Sequence, residues 1–92
     1  MELEELRGQI DEIDAALIEL LQRRMDVAAG IAAYKRENGL PVLDAAREAD
    51  KLSDIRSRCR PELGTYVARL YEAVFAVSRD YQQSLLVGDK KR

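Results

Sequence analysis

A seven-residue repeat runs through the first third of the chain. Leu3, Leu6, Ile10, Ile13, Leu17, Leu20, Arg24, Val27, Ile31 and Tyr34 follow one another at alternating steps of three and four, and nine of these ten are apolar or aromatic. This is the a/d pattern of a helix packed lengthwise on a partner helix, and it is incompatible with a strand, whose side chains alternate with period two. It predicts a helix over about residues 2–37, near 50 Å long at ~1.5 Å per residue. A 92-residue chain has little to cover a helix of that length. Chains this small also hide a modest share of their surface, so a dimer is expected from size alone.

The helix has a readable stop. Asn38-Gly39 is a C-cap signal, and Pro41 follows where a helix would not easily continue. Asp44 can cap a second helix, over about 44–59, with Ala45, Ala49, Leu52, Ile55 and Cys59 on one side. Pro61 suits the first turn of a third helix, over about 61–86, whose stripe is Leu63, Val67, Leu70, Val74, Val77 and Tyr81. A second row, Tyr71, Phe75 and Leu85, broadens that face. The tail GDKKR reads as a frayed end. No segment alternates with period two over a useful length, so the expected architecture is all-α: one domain over 1–92 with three helices, one of them very long.

Composition narrows the chemistry. With 15 basic and 17 acidic residues the net charge is -2, which offers no general attraction to nucleic acid or to an anionic membrane. Any anion binding must come from local placement of charge. No apolar run approaches the ~20 residues of a membrane span, MELEELRGQ lacks the basic start and apolar core of a signal peptide, and the single Cys59 has no intrachain disulfide partner. A cytoplasmic location is expected. Histidine is absent, and one cysteine does not make a zinc site of the usual kind, so neither a metal nor a cofactor is expected.

Polar residues stand in apolar places. Arg24 interrupts the first stripe, where a buried unpaired guanidinium would be strongly destabilising; it must meet a carboxylate from the protein or from a ligand. Its planar fork is suited to holding a carboxylate through two parallel hydrogen bonds, although a charge at an a position can equally fix helix register. Lys35 follows eleven residues later, about three turns on and at nearly the same azimuth. It can close on the same small molecule, or serve as a helix-dipole partner. Ser78 and Gln82, spaced i, i+4, break the row Tyr71/Phe75/Leu85 and share one face. Asp44, Arg47 and Glu48 cluster at the start of helix 2, where they read either as a cap with surface ion pairs or as a binding group. Arg7 precedes Arg24 by seventeen residues, about 25 Å along one straight helix. If both serve one site, Arg7 must come from a second chain. Gly30, among the small residues late in helix 1, implies either close backbone approach or room for a ligand, and Gly8 carries the same ambiguity.

These residues together resemble the all-helical, type II bacterial chorismate mutases, intertwined homodimers found alone or as the N-terminal domain of prephenate dehydratase or dehydrogenase. The resemblance covers almost the whole chain. It rests on LRGQIDEIDAALIELLQRR, on YKRENGLPVLDAAREAD and on SRDYQQ. It implies an intertwined homodimeric helical bundle and the conversion of chorismate to prephenate, an intramolecular Claisen rearrangement without covalent intermediate or cofactor, in phenylalanine and tyrosine biosynthesis. By this resemblance Arg24, with Arg7 supplied by the partner chain, binds the two carboxylates, helped by Ser78 and Arg47. Lys35 and Gln82 donate to the ether oxygen, and Glu48, with the backbone at Asp44, receives the hydroxyl group.

Two other readings remain open. Isochorismate pyruvate lyase is similar in fold and pocket, although the joint here, nine residues from Lys35 to Asp44, resembles the mutase form. A catalytically silent helical dimerisation or regulatory module would account for the heptads. It would gain from apolar residues at Arg24, Ser78 and Gln82.

Overall fold

The computed structural model describes residues 2–90. Three helices, α1 (Leu3–Glu37), α2 (Ala45–Arg58) and α3 (Gly64–Lys90), account for all the regular structure among them, with no strand. α3 is the hub: α1 and α2 each pack on it and not on each other. The result is a thin slab measuring 54 × 29 × 14 Å. Its radius of gyration is 16.6 Å, against about 12 Å for a compact domain of this length.

Both joints follow from local chemistry. After α1 the chain reverses through a Schellman motif: Gly39 takes φ +65°, its N–H reaches the Arg36 carbonyl at 3.4 Å, and the Leu40 N–H reaches the Lys35 carbonyl at 2.8 Å. A Cβ on Gly39 would meet nothing within 4 Å, so the demand for glycine comes from the backbone alone. Gly39→Ala should therefore lower unfolding stability by about 1–2 kcal/mol, read as a denaturation midpoint at fixed protein concentration; an unchanged midpoint would contradict this reading. α2 begins as expected, with the Asp44 side chain accepting from the Arg47 N–H at 3.0 Å. The start of α3 differs from the expectation. Leu63 N–H closes a tight turn onto the Arg60 carbonyl at 2.9 Å and the Leu63 carbonyl accepts the first helical bond, from Val67 N–H. Pro61 thus lies in a turn before the helix, which starts at Gly64. At the other end α3 continues through Gly88, Asp89 and Lys90, where fraying was expected; Lys91 and Arg92 lie outside the described residues.

Burial within the chain leaves the α1 stripe uncovered and corrects the reading of α3. Only Ala28 and Ala32 of α1 are buried, both against α3, whereas the nine apolar stripe residues from Leu3 to Tyr34 are 41 to 65% exposed. Every described residue before Arg24 is exposed. On α3 the inward face is the second row, with Ala68, Phe75, Ser78 and Gln82 buried, while Leu70 and Val77 of the expected main stripe are more than half exposed. A helix apolar on two sides has no unique inward face, and packing against α1 and α2 selects the one that carries the polar breaks. Gly8 and Gly30 make no close approach within the chain, since a Cβ on either would meet nothing within 4 Å.

Candidate active site

One cavity of about 440 Å³ opens where the C-terminal half of α1, the first turns of α2 and the middle of α3 meet. Arg24, Lys35, Asp44, Arg47, Glu48, Ser78 and Gln82, drawn from all three helices and the joint before α2, line it together. The eleven-residue spacing of Arg24 and Lys35 delivers both to one wall, as helical periodicity requires. Arg7 does not reach it. Sixteen exposed residues of α1 lie between Arg7 and Arg24, the first lining residue along the chain, and Arg7 instead pairs with Glu4 at 3.3 Å in solvent.

The cationic residues are held by contacts that leave their charge available. The Arg24 guanidinium carbon stands 5.8 Å from the centroid of the buried Phe75 ring, which Tyr71 braces edge-on at 5.9 Å. A ring face orients a guanidinium and supplies no counter-charge equal to a carboxylate. Lys35 Nζ donates to the Val42 carbonyl at 2.8 Å, which spends one of its three N–H groups and ties the side chain to the joint. Among the described residues, no carboxylate lies within ion-pairing distance of Arg24 or Lys35. Five cationic side chains, Arg24, Lys35, Arg47, Lys51 and Arg79, line the cavity against two carboxylates, Asp44 and Glu48. An acidic protein has concentrated positive charge in its one-sided cleft.

Ser78 and Gln82 are 7% and 6% exposed. Gln82 Nε2 donates to Ser78 Oγ at 3.2 Å, and Gln82 Oε1 is buried without a partner among the described residues. An unsatisfied buried oxygen costs about 1–3 kcal/mol. Turning the carboxamide over moves that cost to the nitrogen: the Ser78 hydroxyl then donates to Oε1, and Nε2 takes the unpartnered position with N–H groups free for a ligand acceptor. Either way the pair holds unused hydrogen-bonding capacity in a buried part of the cleft.

Sequence reading missed two contributors. Lys51 carries a spacing signal, three residues after Glu48 on α2, and it also pairs with Asp54 at 3.7 Å. Arg79 has none. Its Nη1 donates to both carboxylate oxygens of Glu48, 31 residues away in the chain, and only the packing of α2 on α3 brings the two together.

The chain has counterparts elsewhere. The family model described as chorismate mutase type II matches residues 6–83. The chain belongs to that family. Chorismate mutase type II is a family of isomerases, and its relatives bear on different parts of this chain. It is 42% identical over 55 residues to the T-protein of Enterobacter agglomerans, a match that takes in 60% of this chain and 15% of that protein. It is 36% identical over 58 residues to a chorismate mutase of Methanocaldococcus jannaschii, covering 63% of this chain and 59% of the relative. A 4-amino-4-deoxychorismate mutase of Streptomyces venezuelae is 29% identical over 76 residues, 79% of this chain and 73% of the relative. Two of these three relatives thus extend well beyond what the chain matches. Among solved structures, a conserved hypothetical protein from Pyrococcus furiosus superposes with a TM-score of 0.69 at 34% identity, covering 87% of this chain and 93% of that one. Among the described residues no helix is long and apolar enough to cross a membrane.

Proposed function

We propose that this protein rearranges chorismate to prephenate in a homodimer whose two sites each borrow Arg7 from the partner chain. One observation carries the reading: side chains from three separate helices converge on a cleft of surplus positive charge whose cations Arg24 and Lys35 meet no carboxylate among the described residues. A dicarboxylate substrate supplies the missing counter-charges.

The reaction breaks a carbon–oxygen bond and forms a carbon–carbon bond within one molecule, so it needs no nucleophile and no external proton. Its demands are confinement of a flexible substrate in the reactive chair form and stabilisation of negative charge growing on the ether oxygen. Arg24 and the partner's Arg7 grip the carboxylates, with Arg47 and Ser78 assisting. Lys35, already tethered by the Val42 carbonyl, and Gln82, braced by Ser78, donate to the ether oxygen. Because both are positioned before the substrate arrives, little reorganisation is needed in the transition state. Glu48 and the backbone at Asp44 receive the substrate hydroxyl. Gln82 suits its place because a carboxamide is a permanent donor, whereas a glutamate there would donate only when protonated.

Dimerisation has physical support in the exposed stripe. Most helical stability in proteins comes from packing an apolar face, and every described residue of α1 before Arg24 is exposed within the single chain. An antiparallel pairing of two α1 helices along the stripe covers these residues. It also brings the Arg7 end of one helix toward the Lys35 end of the other.

The direct test is to mix purified protein with chorismate and follow its ultraviolet absorbance. Loss of absorbance with prephenate as product is expected. Pyruvate and salicylate formed from isochorismate would favour a lyase, and inertness toward both compounds would leave a non-catalytic dimer.

A further inference from the structure

Arg79 has no part in the roles just proposed, yet it sits in the wall of the cleft and is bound to Glu48, which has one. Both side chains are about one-third exposed or less, at 26% for Glu48 and 32% for Arg79, and both line the cavity. Arg79 Nη1 donates to both oxygens of Glu48. A carboxylate offers about four lone-pair sites, so a substrate hydroxyl can still donate to one that Arg79 leaves open. What the pairing removes is net negative charge: an acceptor remains, while its charge is offset by an adjacent guanidinium.

That distinction separates two substituents of similar size. A hydroxyl needs an acceptor and tolerates a neighbouring cation. A protonated amine needs an unshared negative charge, and here it would stand beside Arg79 with Arg47 and Lys51 in the same wall. Like charges placed together at a binding site discriminate more sharply than any small difference in shape. The question matters for this chain because its relatives bear both names, chorismate mutase and 4-amino-4-deoxychorismate mutase.

Building on the proposed role of Glu48 as hydroxyl acceptor, we propose that Arg79 is a positioning residue that, through Glu48, makes the cleft select a substrate carrying a hydroxyl over one carrying an amino group at the same carbon. It touches no reacting atom. Its effect lies in specificity.

The experiment compares kcat/KM for chorismate and for 4-amino-4-deoxychorismate in the unmodified protein, Arg79→Met and Arg79→Lys, with circular dichroism to check folding. The unmodified protein should prefer chorismate, and Arg79→Met should move the ratio toward the amine on the order of tenfold or more, the scale at which a pocket interaction discriminates. Arg79→Lys keeps the positive charge and should hold the ratio within a few-fold of the original. An unchanged ratio in Arg79→Met, or equal shifts in the Met and Lys variants, overturns the proposal while leaving chorismate rearrangement standing. Should Arg79→Met fail to fold, the unmodified protein still decides: turning over the amine as efficiently as chorismate overturns the proposal. If it rearranges neither compound, the proposed reaction fails, and the role of Arg79 fails with it.

Discussion

Lys35→Ala is expected to lower kcat by ~10² or more, the effect of removing one preorganised donor to developing charge. The size follows from how the ammonium is held. The Val42 carbonyl fixes Nζ at 2.8 Å, and the Schellman turn that begins at the Lys35 carbonyl fixes the joint carrying Val42. The remaining N–H groups therefore stay aimed while the substrate passes from ground state to transition state, and water has no comparable order. Loss of the tether itself should be modest, about 1 kcal/mol for one hydrogen bond, so stability and turnover should separate cleanly in the variant. KM should move less than kcat, since charge on the ether oxygen is small in bound chorismate and grows as the bond breaks. A fall in kcat of less than a few-fold, in a protein of near-normal stability, would remove Lys35 from the mechanism.

How far the sequence could be read depended on whether a feature was local. The α1 stripe, the azimuthal match of Arg24 and Lys35, the Asn38-Gly39 stop and the Asp44 cap each depend on residues within a few turns, where helical geometry leaves little freedom, and each stands where the spacing places it. Ser78 and Gln82 were visible as breaks in an apolar row because buried polar side chains are uncommon without a task. Burial was harder. Leu70 and Val77 belong to a row as apolar as Phe75's, and only the docking of α1 and α2 decides which row turns inward. Arg79 was invisible for the same reason: its partner lies on another helix, and nothing in SRDYQQ distinguishes a guanidinium that faces Glu48 from one that faces solvent. Arg7 shows the limit of a single chain. Its place on α1 is secure, but its proposed ligand lies in a cleft that only a second copy brings within reach.

Mixing two inactive variants should accordingly restore activity. If each site takes Lys35 from one chain and Arg7 from the other, Arg7→Ala homodimers and Lys35→Ala homodimers are both defective at both sites. A heterodimer of the two is different. The site built on the Arg7→Ala chain keeps its own Lys35 and receives an intact Arg7 from its partner, while the second site carries both lesions. Random exchange at equal concentrations makes half the dimers mixed, each with one sound site of two, so activity should recover to about a quarter of the unmodified level. Exchange has to be demonstrated separately, for example by mass spectrometry of differently tagged chains after mild denaturation and refolding. Recovery near a quarter supports the borrowed arginine and the two-fold arrangement together. Absence of recovery in a sample with proven heterodimers means that Arg7 and Lys35 serve the same chain's site or that Arg7→Ala is inactive through a disturbed interface and not through the site. The 35-residue length of α1, with Arg7 exposed at one end and Lys35 in the cleft at the other, excludes the first option for a straight helix. The exposed stripe would then be an interface and nothing more.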